Sequence, residues 1–292
     1  MNRWTKIAGT IAVSGLVIAG GTIVGLLRGW HIPKVTPDEL EAQLQPDFQI
    51  VTPEGEGPFP TVLAFHSCAG IKDRDWLEVL VERGYAAILV DSFSSRPELN
   101  KDIVCTGRAF WGAERAGDVW TSIEVARQLP FVDRDHLFLM GWSHGGWAIA
   151  DLFALQSDNR LPTNLTQAPD AELESAVSGA ILMYPYCSFP AVSRRGWSLT
   201  VPTLMLLGSE DNVSRAEDCL AIAERANRRS GNRETIQTVT HVYEVGHVFD
   251  ASHLRRRYDP DATADAHIRV LDFLETHSSG DSEGTAIAEV VN

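Results

Sequence analysis

Gly141-Trp142-Ser143-His144-Gly145-Gly146 joins two segments of different character. The apolar run Leu137-Phe138-Leu139-Met140 leads in, and the helix-compatible run Trp147-Ala148-Ile149-Ala150-Asp151-Leu152-Phe153 leads out. Strand, G-x-S-x-G, helix is the context of a nucleophile elbow, in which a serine sits on a tight, strained turn with its hydroxyl exposed. Glycines at 141 and 145 remove the β-carbons that would clash where strand and helix approach. The helix start brings backbone N–H groups and a positive dipole end to the reacting oxygen. The competing reading is a Gly-rich turn in an ordinary α/β protein; the flanking strand and helix favour the elbow, and with it a serine hydrolase.

Outward from this turn the chain alternates. Thr61–Phe65, Tyr85–Val90, Leu137–Met140, Gly179–Met183, Thr203–Leu207 and Gln237–Val245 read as strands. Helical patterns fall at Asp73–Arg83, within Arg108–Leu129, and at Gly146–Leu155, Arg215–Arg229 and Ala262–Thr276. Strands that are apolar throughout are buried on both faces, and β-then-α alternation builds a parallel sheet. The spacing predicts an α/β fold with a mostly parallel central sheet and helices on both faces over residues 48–277. Asp158–Ser175 is a polar insertion, and Ser/Gly/acid-rich residues 278–292 read as a mobile tail.

A serine hydroxyl needs a base, and that base needs an orienting acid. In chain order the acid follows the serine and the histidine follows the acid, each on a loop after a later strand. Asp211 in Gly208-Ser209-Glu210-Asp211 and His247 in Val245-Gly246-His247-Val248-Phe249 fit those positions. Ser143, Asp211 and His247 are therefore the candidate catalytic residues. Glu210 is the competing acid, with Asp211 as a helix cap; His241 and His253 are competing bases. The oxyanion requires two N–H donors: His144, after the nucleophile, and one from the loop His66-Ser67-Cys68-Ala69-Gly70, where Ser67 and Cys68 both qualify and Cys68 is preferred. Cys68 could itself be read as a nucleophile, but Ser143 has the better context. His66, His144 and Asp91 lack the close His or Cys spacing of metal sites, so neither metal nor cofactor is expected.

The chain holds 292 residues, 44% of them hydrophobic, enough for one large α/β domain. Its net charge of −14 is unevenly placed. Residues 1–34 carry four basic and no acidic side chains, and the remainder is strongly acidic, which argues against nucleic-acid binding. Ile7–Leu27 contains no charge over 21 positions, long enough for a bilayer core of about 30 Å. Arg3 and Lys6, Arg28 and Lys34, and Trp4 and Trp30 flank it. Residues 1–30 are therefore expected to be one N-terminal transmembrane anchor, with a cleaved signal segment or a buried helix as the other readings. A linker follows over 31–47, with a short helix near Asp38–Gln45. Flanking basic residues are balanced and do not orient the segment. The even cysteine count suits two disulfides formed outside the cytoplasm; free thiols are the alternative.

Taken together, Val62–Gly70, Gly84–Phe93, Phe131–Gly146, Tyr184–Cys187, Gly208–Asp211 and His247–Asp250 resemble the dienelactone hydrolase family of α/β-hydrolases, over about Pro60 to Leu274. The resemblance implies the same triad, Ser143, Asp211 and His247. It departs at the nucleophile, which is serine where the founding members have cysteine, and this favours a broader carboxylic-ester hydrolase over a dienelactone specialist. It also implies disulfides Cys68–Cys105 and Cys187–Cys219, each bracing a loop of the site. The site should open at the carboxyl ends of the strands, with a rim drawn from Phe93, Arg96, Phe110, Trp111, Trp142 and Tyr186. The aromatic residues would take an apolar acyl or aryl group, and Arg96 a carboxylate; packing roles at a helix start are the alternative for Phe110 and Trp111. The expected partners are a small-molecule ester and, through the anchor, a membrane. A peptidase or thioesterase of the same fold, or an idle binding domain, are the competing functions.

Overall fold

The computed structural model describes residues 33–71, 74–231 and 237–278. The expected anchor, residues 1–30, and the tail beyond Ser278 lie outside them. Among the described residues no helix is long and apolar enough to cross a membrane.

Among the described residues seven strands form one sheet: β1 (Gln49–Val51), β2 (Phe59–Phe65), β3 (Ala86–Val90), β4 (Val132–Trp142), β5 (Gly179–Met183), β6 (Thr203–Gly208) and β7 (Thr238–Tyr243). Their spatial order is β1-β3-β2-β4-β5-β6-β7. All neighbours run parallel except β1, which pairs antiparallel with β3 through Gln49↔Leu89 and Val51↔Ala87. This edge strand was not expected from sequence: it is three residues long and half exposed, so it shows no buried pattern. Among the described residues eight α-helices accompany the strands: α1 (Pro37–Leu44), α2 (Asp75–Glu82), α3 (Lys101–Val104), α4 (Gly112–Gln128), α5 (His144–Ser157), α6 (Leu173–Ala176), α7 (Ala216–Arg229) and α8 (Pro260–Ser278).

Strand side chains alternate between two cores. Leu63, Phe65, Leu137 and Leu139 pack with Leu40 of α1, Ile123 of α4, Phe153 of α5 and Ile222 of α7. Val62, Ala64, Phe138, Met140 and Trp142 pack on the other face with Trp76 and Leu80 of α2 and Val270 and Leu274 of α8. Full burial of one such side chain contributes about 1.5–3 kcal/mol. Helix α1 begins in a Thr36–Glu39 capping box and buries Leu40 and Leu44 completely. The stretch read as a linker therefore belongs to the core where it is described. Helix α4 lies within the expected Arg108–Leu129 stretch; Phe110 sits at φ +59°, outside helical space, and the helix opens at Gly112.

The parallel register decides where function is placed. Phe65 pairs with Gly141, Trp142 with Met183 and Gly208 with Tyr243. The loops after β2, β4, β5, β6 and β7 consequently leave the sheet at one end.

Candidate active site

Ser143 occupies the turn between β4 and α5 at φ 50°, ψ −105°, a conformation that β-carbon-bearing residues rarely adopt. Its N–H donates to Met183 O at 2.8 Å, tying the turn to β5. The close approach seen at the two glycines explains how the turn is held. A β-carbon on Gly145 would lie 2.0 Å from Phe65 O, and one on Gly141 would lie 2.5 Å from the Gly145 carbonyl carbon.

The three residues of the expected triad come together from three loops. Ser143 Oγ lies 2.9 Å from His247 Nε2, and His247 Nδ1 lies 2.6 Å from Asp211 Oδ2. The other Asp211 oxygen accepts the N–H groups of Val213 at 2.7 Å and Ser214 at 2.8 Å. The acid is thus anchored on one oxygen and presents the other to the imidazole, fixing the tautomer with Nδ1 protonated and Nε2 open toward the hydroxyl. Tyr184 meets the His247 ring edge-on, with centroids 4.9 Å apart. The competing groups stand elsewhere. Glu210 is exposed, His241 packs on Tyr243 and faces Asp265, and His253 lies on an exposed turn.

The two N–H groups expected to hold an oxyanion belong to His144, the first residue of α5, and Cys68, in the loop after β2. Neither donates to a protein acceptor among the described residues. The loop is braced by His66, whose Nδ1 donates to Ser67 O at 2.6 Å while Nε2 accepts the Ser92 N–H at 3.1 Å. Cys68 is bonded to Cys105, and Cys187 to Cys219. Among the described residues no group of His, Cys, Asp and Glu is arranged to hold a metal ion.

The rim is only partly as the sequence suggested. Phe93, Trp111 and Tyr186 are half-buried on the loops after β3 and β5. The Phe93 ring meets His66 edge-on; Trp111 Nε1 donates to Gly107 O at 2.7 Å; Tyr186 stands 4.9 Å from the Trp147 ring. Arg96 is not available to a substrate: it holds the buried Asp118 carboxylate bidentately, at 2.7 and 2.9 Å. Trp142 is fully buried on the opposite face of the sheet, where its Nε1 donates to Asp250 at 3.1 Å. Strand alternation sends it there: Ser143 ends the strand at the opening, and the preceding side chain points into the second core. Phe110 is likewise fully buried, stacked on the His144 ring.

Sequence reasoning passed over two residues. Arg115, wholly buried, donates from Nη1 to His66 O at 2.6 Å and to His144 Nδ1 at 3.1 Å. Burial, reinforced by the Arg115 charge, holds the His66 and His144 imidazoles well below the usual histidine range, so both are neutral. Asp250, also buried, accepts Trp76 Nε1 at 2.8 Å and the Tyr184 hydroxyl at 2.6 Å besides Trp142. One signal for Arg115 lay in Gly112-Ala-Glu-Arg-Ala-Gly-Asp118: charges interleaved with the smallest residues mark a helix face pressed against other chain. Indeed a β-carbon on Gly117 would lie 2.0 Å from Asn164 Oδ1.

No protein-family profile and no curated protein matches this sequence. Solved structures do match. One is a Klebsiella pneumoniae chain provisionally named a dienelactone hydrolase, with TM-score 0.57 and 19% identity over 78% of this chain and 92% of that one. Esterase 2 of Thermogutta terrifontis, solved with propionate bound, has TM-score 0.55 and 18% identity over 82% of this chain and 91% of that one. Dipeptidyl peptidase 4 of Porphyromonas gingivalis has TM-score 0.53 and 15% identity, over 78% of this chain and 33% of its own length. The architecture of this chain is that of the α/β-hydrolases.

Proposed function

We propose that this chain is a serine hydrolase of carboxylic esters, similar to dienelactone hydrolases, that works through an acyl-enzyme on Ser143. The observation that carries the reading is the unbroken chain from Ser143 Oγ through His247 to Asp211, at 2.9 and 2.6 Å, beside two uncommitted N–H donors. His247 Nε2 takes the Ser143 proton as Oγ bonds to the ester carbonyl carbon. The carbonyl electron pair moves to oxygen, where the Cys68 and His144 N–H groups receive it. When the carbonyl re-forms, the alcohol leaves with the proton from Nε2. Water then gives a proton to Nε2, attacks the acyl group and expels Ser143, which regains its proton as the acid departs. Asp211 holds the ring throughout and stabilises the imidazolium.

The substrate is a small or extended ester lying against Phe93, Trp111 and Tyr186. Two disulfides support folding outside the cytoplasm, with Ile7–Leu27 as the proposed membrane tether. A peptidase is the second reading, favoured by the likeness to dipeptidyl peptidase 4, since the same triad serves both bonds.

A fluorophosphonate probe tests the central claim. Wild-type protein should label and Ser143→Ala should not, and p-nitrophenyl esters of graded chain length should be turned over faster than the matching anilides. An unlabelled wild type would leave an idle binding domain; faster anilide cleavage would favour the peptidase.

A further inference from the structure

Arg115 is a buried cation without a carboxylate of its own. Its side chain is entirely enclosed, and among the described residues no Asp or Glu oxygen lies within 4.0 Å of it. All three of its acceptors are neutral: His66 O, His144 Nδ1 and, from Nε, Ser92 Oγ at 3.1 Å. Nη2 is buried with no partner. The Asp118 and Asp91 carboxylates act on its charge without bonding to it, and Asp118 is itself held by Arg96 on both oxygens. A buried charge with no bonded carboxylate and an unsatisfied nitrogen opposes folding, so its presence calls for a compensating role.

Its acceptors suggest what that role is. His66 opens the loop that carries Cys68, and His144 is the residue after the nucleophile. One guanidinium nitrogen therefore holds both segments that carry the proposed oxyanion donors. The seam between them is where Gly145 meets Phe65 O too closely for any β-carbon. The His144 ring is pinned at its other end by Nε2–H donation to Phe110 O at 2.7 Å, so its Nδ1 is committed to Arg115.

We propose that Arg115 is a positioning residue for the oxyanion hole, setting the Cys68 and His144 N–H groups at a fixed separation and placing behind them a positive charge to which no carboxylate is bonded. This rests on the Ser143 hydrolase reading. A negative charge appears on the substrate oxygen only at the tetrahedral stage. A buried cation with no carboxylate bonded to it therefore favours that stage over the bound ester. Its loss should lower kcat and leave KM nearly unchanged.

The test compares wild type with Arg115→Met, Arg115→Lys and His144→Ala, the last keeping the backbone N–H while removing the Arg115 acceptor. Competent sites are counted by fluorophosphonate labelling carried to its end point, so that a misfolded fraction does not count. Per-site kcat and KM for a p-nitrophenyl ester are then set beside inhibition by a trifluoromethyl ketone, whose adduct carries the oxyanion. Arg115→Met should lose about 10²-fold in per-site kcat and a similar factor in ketone affinity, with KM within about threefold. Arg115→Lys, which keeps the charge but cannot span both segments, should recover part of each. If Arg115→Met does not fold, Arg115→Lys and His144→Ala should each lose about tenfold in both readouts. Per-site kcat within about threefold of wild type, or a fall in kcat with ketone affinity intact, would overturn the inference. An unlabelled wild type would instead overturn the hydrolase reading on which it stands.

Discussion

The Tyr184 hydroxyl donates to Asp250 Oδ1 at 2.6 Å, and through that bond the second core reaches the proposed base, because the Tyr184 ring is also the edge-on neighbour of His247. Asp250 lies three residues after His247 and accepts from two tryptophans on its other oxygen. The carboxylate thus nails the His247 loop to β4, to α2 and to the chain after β5. Asp250→Asn turns one acceptor into a donor that faces donors. It should cost about 2 kcal/mol and lower Tm by roughly 4–8 °C. Per-site kcat should fall about tenfold as the His247 ring loses its frame. Thermal unfolding and esterase kinetics read the two effects, and an unchanged kcat would show that the clamp serves stability alone.

The two disulfides should separate stability from activity. Cys187 and Cys219 are buried, whereas Cys105 is exposed and Cys68 half-buried. Dithiothreitol should therefore open Cys68–Cys105 first, visible as two alkylated thiols by mass spectrometry. The sequence separations, 37 and 32 residues, correspond to about 4 kcal/mol each in the loop-entropy account. Replacing either pair by serine should cost stability of that order. Only the Cys68/Cys105 replacement should also lower kcat, because Cys68 carries a proposed oxyanion donor. Equal kcat losses in both would contradict this.

Gly145 should be irreplaceable. Its missing β-carbon would stand 2.0 Å from Phe65 O and 2.7 Å from Phe65 C, both backbone atoms that no rotamer change can move. Gly145→Ala must therefore push α5 away from β2, which separates the His144 and Cys68 N–H groups. A cost of about 3 kcal/mol and a kcat loss of at least about 10²-fold are expected from urea unfolding and initial rates. A variant of normal stability and activity would mean that α5 does not press on β2 at this point.

Asp151, buried in α5, gives a pH prediction. It accepts Trp147 Nε1 and the Ser193 N–H, both at 2.8 Å, yet burial pushes its carboxyl up to about 6 from 3.8. The folded state then binds the proton more tightly than the unfolded state. That contribution to stability is fully present below about pH 4 and is lost as pH rises through about 6. It amounts to about 3 kcal/mol. Urea unfolding at pH 4 to 7 should show wild type losing about that much relative to Asp151→Asn, and parallel curves would count against it.

Several features were legible because their causes are local. Gly141 and Gly145 on either side of Ser143 announce a turn at which strand and helix touch, and the apolar runs on both sides give its context. Asp211 and His247 stood out because each follows an apolar strand on a short loop. Arg96 and Trp142 misled for complementary reasons. Each lies next to the opening in sequence, but a strand sends successive side chains to opposite faces, and the Arg96 partner Asp118 is 22 positions away. The same distance problem hid Arg115, whose acceptors lie 23, 29 and 49 positions from it.

By itself, then, the order of residues determined the parallel α/β scaffold, the strained serine turn and the order of serine, acid and histidine, since these depend on backbone sterics and burial periodicity within a few residues. Only tertiary structure decided that Arg115 joins His66 to His144 and that Arg96 is taken by Asp118. Those contacts join residues remote in sequence, and their energies depend on burial and on which neighbour has already claimed each polar atom. A linear chain carries no record of either until it has folded.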